Sequence, residues 1–106
     1  DIDRIMPYCE KMLLFKGGGE AFLSTSAAFA LASAGVTLVG TDAWSIGAPH
    51  AEEGPHVELL SAEIPILEGL DLSQVEEGTY TLIAFPLFLK GAEASPVRAV
   101  LLDELD

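Results

Sequence analysis

Apolar positions along this chain gather in short runs, separated by glycine, proline and acidic residues, and the spacing within each run predicts its element. Lys11 to Lys16 (KMLLFK) is a compact apolar run that ends at Gly17-Gly18-Gly19, the pattern of a buried strand leaving into a loop. Ser24 or Ser26 is placed to cap a helix through Ala27, Phe29, Ala30 and Ala34, with Gly35 as its C-terminal stop. Val36 to Thr41 (VTLVGT) follows as a β-branched strand. Strand, helix and strand succeed one another with the spacing of a right-handed crossover, which predicts an α/β layer.

Asp42 to Pro55 (DAWSIGAPHAEEGP) carries no sustained period and reads as a long loop leaving the end of that strand. His56 to Glu63 can make two helical turns with Leu59 and Leu60 facing inward, and Ile64 to Leu67 is then a short strand ending at Glu68. Leu70 to Gly78 suits a short polar helix or a turn. Thr79 to Leu89 and Val97 to Leu102 are two β runs that can pair as a hairpin across a long connection. The expectation is α/β (α+β), a mixed β-sheet flanked by a few helices, in a single domain over residues 1–106. No internal repeat or low-complexity tract interrupts it.

Size and charge narrow the function classes. A chain of 106 residues buries about 65% of its unfolded surface, enough for one modest core. Its formal charge of −12, from 17 acidic and 5 basic residues, repels phosphate backbones, so nucleic acid and anionic membrane are poor partners. The longest apolar stretches are broken by Ser33, Gly35 and Pro86 and are shorter than the ~20 residues of a membrane helix. A protein of half hydrophobic composition that is also this acidic suggests apolar surface reserved for a partner, and oligomerisation is expected. Cys9, the single cysteine, forms no disulfide within the chain, which makes a cytoplasmic location the default. The chain opens at Asp1 without an initiator Met or signal-peptide core, from which we expect that residues upstream are missing.

Candidate chemistry centres on two histidines, His50 and His56, and on the carboxylates Asp42, Glu52, Glu53, Glu58, Glu63 and Glu68. A helix-turn-strand excursion of twelve residues can bring its ends, His56 and Glu68, together on one side of a sheet. Periodicity alone does not require it, and a surface pair is the plainer reading of that spacing. No P-loop, dinucleotide-binding glycine motif, nucleophile elbow or C-x-x-C pair occurs. Arg98 lies in an apolar strand, where an unpaired charge would be costly, so a carboxylate partner is expected. Trp44 either lines a substrate pocket or packs on the core.

Read in order, G-V-T-L-V-G-T-D at Gly35 to Asp42, Ser45, H-V-E-L-L at His56 to Leu60, I-P-I-L-E-G-L at Ile64 to Leu70, Pro86-Leu87 and S-P-V-R-A-V at Ser95 to Val100 resemble the second half of the cyclase family of metal-dependent hydrolases. That family includes the arylformamidases, or kynurenine formamidases. The resemblance covers about two thirds of the chain closely and the first 34 residues loosely.

The resemblance implies a divalent metal, zinc or manganese, held by an N-terminal H-x-x-x-H-x-D motif together with a later His and Glu. The later pair matches His56 and Glu68, which become the expected metal ligands and catalytic residues, their separate roles unassigned. It also places the D-x-x-S pair Asp42 and Ser45 near the active site, as substrate-binding or supporting residues. The structural alternative is that Asp42 caps the loop and Ser45 bonds its own backbone. The implied reaction is hydrolysis of a small-molecule amide, formamide or lactam through a metal-activated water.

The sequence departs from the family in one respect: no H-x-x-x-H-x-D occurs in it. Catalytic zinc sites usually use three protein ligands. The chain alone is therefore expected to be inactive, its site completed by an N-terminal half or another subunit. The alternative is a non-catalytic oligomerisation or binding module that retains the cyclase-like fold.

Overall fold

In the computed structural model, residues 12–86, 91 and 94–103 are described. Cys9, Lys11, the run from Leu87 to Leu89 and the acidic end beyond Asp103 lie outside them. Among the described residues, five strands and two helices form: β1 (Met12–Phe15), α1 (Thr25–Ser33), β2 (Leu38–Thr41), α2 (Glu53–Ser61), β3 (Ile66–Leu67), β4 (Tyr80–Pro86) and β5 (Val97–Asp103). The α/β class expected from the sequence holds. The chain groups into two compact units, Asp1–Gln74 and Val75–Asp106. The division follows the hydrogen bonding, because β1–β3 and β4–β5 form separate sheets.

In the first unit β2 is central, with β1 and β3 parallel to it on either side. Met12 to Phe15 lie opposite Leu38 to Thr41, and Val39 and Gly40 opposite Ile66 and Leu67. Each parallel pair needs a crossover, and α1 and α2 supply the two. The Ser24 hydroxyl accepts the Ala27 N–H at 3.1 Å, satisfying one of the four orphan donors at the start of α1. Gly35, at φ +86°, takes the left-handed turn past its end.

α2 begins three residues earlier than His56, so the preceding loop is shorter than the sequence suggested. Pro55 sits in its first turn, where a missing N–H costs nothing, and Glu53 is an acid suited to the helix N-terminus. The two helices pack closely: a Cβ on Gly54 would collide with the Thr25 hydroxyl. Leu23, Ala27, Ala28, Leu31, Val36, Val39, Ile46, Leu59 and Ile64 form the core, with Leu13, Phe15, Ala32 and Ile66 at its margin. Buried Thr41 satisfies its hydroxyl locally by accepting the Ala43 N–H at 3.1 Å.

The second unit is the antiparallel hairpin expected from the two β runs, registered from Tyr80 opposite Asp103 to Pro86 opposite Val97. Leu70 to Gly78, allowed as a short polar helix, contains turns and no helix. Arg98 faces Phe85 across the ladder and is exposed, and no carboxylate pairs with it among the described residues. The expected partner is unnecessary because water solvates the guanidinium.

Candidate functional site

The end of β2, the start of α2 and the end of β3 bring His56 and Glu68 together. His56 Nε2 lies 2.9 Å from Glu68 Oε2, the single ion-pair contact among the described residues, with about a third or less of each side chain exposed. His56 Nδ1 lies 2.7 Å from the Glu52 carbonyl oxygen, one helical turn back. A carbonyl only accepts, so Nδ1 carries a proton, and Nε2 is the nitrogen turned toward the carboxylate. Glu68 Oε2 also accepts the Ile46 N–H at 2.8 Å.

The positioning of Glu68 comes from the core. Ile46 is buried, and its carbonyl accepts the Leu23 N–H at 2.9 Å, so its own N–H is fixed in direction before Glu68 reaches it. Beyond β3, Gly69 N–H donates to the Ala43 carbonyl at 2.8 Å and Leu70 N–H to the Thr41 carbonyl at 3.1 Å. The residue carrying the carboxylate is thereby tied to the segment that follows β2.

Asp42 serves a different purpose. Its carboxylate accepts the backbone N–H groups of Gly17, Gly18 and Gly19 at 3.0–3.2 Å, clamping the triglycine loop after β1 to the end of β2. Gly18 and Gly19 both adopt positive φ, which turns consecutive amides inward as an anion-binding nest. Desolvation by burial pushes the Asp42 carboxyl up, but the amides of Gly17, Gly19 and Gly18 together outweigh it and hold the pKa below its ordinary value. Sequence reasoning treated these glycines as a loop only. The signal that could have found the clamp is three consecutive glycines after one strand and an Asp closing the adjacent one.

Ser45 accepts the Gly47 N–H at 3.2 Å, a local turn bond. The structure thus gives Asp42 and Ser45 backbone partners. Trp44 is 92% exposed, so it does not pack on the core. Its ring lies over Gly69, where a built Cβ would stand 3.5 Å from the indole Cε3 and Cζ3. His50 is exposed at φ +65° and joins no cluster. Among the described residues no third His, Cys, Asp or Glu converges on the pair to complete a metal-binding group.

No family model matches the chain. The kynurenine formamidase of Salinibacter ruber is 53% identical over 78 residues, covering 73% of this chain and 37% of that protein. The kynurenine formamidase of Sphingopyxis alaskensis is 48% identical over 68 residues, covering 63% and 32%. A predicted metal-dependent hydrolase from Bacillus stearothermophilus superposes with a TM-score of 0.73 at 40% identity, covering 78% of this chain and 40% of that structure. The chain carries the sequence and fold of a cyclase-family segment. A potential metal-dependent hydrolase with cyclase activity agrees, at TM-score 0.71 and 39% identity. The chain spans about a third of the length of the curated relatives it matches, consistent with the C-terminal half of a cyclase-family protein. No helix among the described residues is long and apolar enough to cross a membrane.

Proposed function

We propose that this chain supplies part of the site of a kynurenine-formamidase-type hydrolase, which cleaves an amide, formamide or lactam C–N bond of a small molecule. The observation that carries the reading is the convergence of His56 Nε2 and Glu68 Oε2 at 2.9 Å, each held from behind by a backbone group. An imidazole nitrogen with its second nitrogen bonded to a carbonyl, beside a carboxylate oxygen, is a donor pair that suits zinc or manganese. Names of the relatives and structural neighbours support the same chemistry.

His56 and Glu68 would hold the metal, with further ligands from an N-terminal half or another subunit of a homo-oligomer. When bound, the ion supplies carbonyl polarisation and hydroxide at neutral pH. The residues of this chain do the positioning. The Glu52 carbonyl keeps the His56 proton on Nδ1 and frees Nε2 as a ligand. The Ile46 amide holds one lobe of Glu68, leaving the carboxylate able to bind the ion or accept a proton from water. Asp42 and Ser45 support the loop that carries Ile46. The single cysteine accords with a cytoplasmic location.

Native mass spectrometry with metal analysis of the same sample tests this reading. The expected result is a complex of this chain with H-x-x-x-H-x-D-bearing polypeptide, retaining about one or two zinc or manganese ions per site, which His56→Ala and Glu68→Gln each strip to background. A metal-free assembly of this chain alone would overturn it in favour of a non-catalytic oligomerisation or binding module.

A further inference from the structure

His56 and Glu68 are each held by a backbone group from a different stretch of chain: the Glu52 carbonyl oxygen, 2.7 Å from His56 Nδ1, and the Ile46 N–H, 2.8 Å from Glu68 Oε2. The separation of the two side chains therefore depends on how those stretches lie against each other. Gly47, next to Ile46, lies at their contact. It is buried, and a Cβ built on it would stand 2.8 Å from Glu52 Cα and 3.1 Å from the carbonyl oxygens of Ala51 and Glu52, inside ordinary van der Waals contact at 3.4–4 Å. All three atoms are backbone, so no side-chain rotation relieves the overlap. Gly47 does not take a positive φ, so its missing side chain answers a need for space and not for a left-handed turn. The chain returns to this contact through a turn in which the Ala51 N–H donates to the Ala48 carbonyl at 2.9 Å, with Pro49 and then His50 at φ +65° in its centre. The Gly47 N–H is taken by the Ser45 hydroxyl oxygen at 3.2 Å.

We infer that Gly47 is a positioning residue, the spacer that sets the gap between His56 Nε2 and Glu68 Oε2 so that both serve one divalent ion, with the Ser45 hydroxyl holding it in place. This inference rests on the hydrolase reading above and adds a determinant of its metal site. One side of the contact is fixed and the other can yield. Ile46 is buried, its carbonyl is bonded to the Leu23 N–H, and Leu23 and Gly47 form an isolated parallel bridge. Glu52, by contrast, is exposed at the N-terminus of α2. A side chain at position 47 would thus displace Glu52 and carry the His56 ring with it, while Glu68 stays on the Ile46 amide. The Glu52 carbonyl keeps the imidazole proton on Nδ1, so its displacement also releases the tautomer that frees Nε2 as a ligand.

The native protein, with whatever polypeptides accompany it, is prepared with this chain alone isotope-labelled, so that His50 and His56 supply the ring signals. Long-range proton–nitrogen spectra of the metal-free form at alkaline pH, where imidazole is neutral, read the His56 tautomer, and chelator competition reads zinc affinity. Gly47→Ala should mix the His56 tautomers and weaken zinc binding about tenfold to a hundredfold, with exchange at the Ile46 amide unchanged. Ser45→Ala, a milder release, should weaken zinc about threefold, and Ser45→Thr should restore most of that loss. Gly35→Ala is the stability control: Gly35 sits at φ +86° with nothing within 4 Å of a built Cβ, so the change strains the fold and leaves tautomer and zinc affinity as they were. Gly47→Ala indistinguishable from Gly35→Ala in both readouts overturns the spacer. Should Gly47→Ala fail to fold, the serine variants decide: a loss restored by threonine upholds the spacer, and no loss in Ser45→Ala overturns it. Hydrolysis of formanilide that is unaltered in Gly47→Ala removes the spacer and leaves the hydrolase reading standing. A tautomer change in Gly47→Ala, in a protein that neither binds zinc nor hydrolyses formanilide, leaves the spacer and removes the hydrolase reading.

Discussion

The two units of this chain solve the problem of burial differently. The parallel layer of β1–β3 with its two helices holds every buried core residue among those described, and Leu31, Val39 and Leu59 are wholly inaccessible. The β4–β5 ribbon has no described residue that reaches the buried class, and Phe85 and Leu102 are 65% and 48% exposed. A parallel layer wrapped by crossover helices covers its own apolar positions, whereas a two-stranded ribbon can cover them only across its ladder and is marginal in water. Both are regular in backbone hydrogen bonding. Regularity is therefore a poor guide to which region is self-sufficient, and it is in the self-sufficient layer that His56 and Glu68 meet.

The contrast breaks most readily in the core. Leu59→Ala should destabilise the first unit by about 2–5 kcal/mol, since it leaves a cavity beneath the helix that carries His56, whereas Leu82→Ala in the ribbon should cost less than half as much. Urea denaturation of the two variants checks this, and equal losses would mean that the ribbon is as well covered as the layer. A smaller effect is expected at the helix cap. Ser24→Ala removes the acceptor of the Ala27 amide and should cost about 1 kcal/mol in the same assay, without a change in m-value that would signal altered compactness.

The smallest effect separates the triglycine clamp from the core around it. The folded-state pKa of Asp42 is depressed, so its contribution is complete above the unfolded value of about 3.9 and is lost as pH falls through the folded value. The acid limb of stability between about pH 5 and pH 2 should flatten slightly in Asp42→Asn. Amide exchange at Gly17, Gly18 and Gly19 should quicken in the same variant while Val39 remains protected. Faster exchange at Val39 would show that the clamp also holds the sheet.

Much of the layer was legible because its signals are local. The apolar run before the glycines, the serine before the alanine-rich helix and the glycine after it each act within one or two turns of chain, where spacing and steric preference suffice. The boundaries of α2 and β3 were less legible. Pro55 and Glu53 allow a helix to start before His56, and the parallel ladder of β3 extends only as far as its partner β2 permits.

By itself the sequence determined the α/β class, the strand-helix-strand order, the acidic character and a residue pattern matched in the cyclase family. Tertiary structure decided that Glu68 is held by Ile46, 22 residues away, and that Asp42 holds glycines 23 to 25 residues away. It also decided that Trp44 stands open to water over Gly69. The physical reason is one of range. Periodicity and capping follow from forces between near neighbours in the chain, whereas a carboxylate selects among distant backbone amides only after the strands bearing them have been laid side by side.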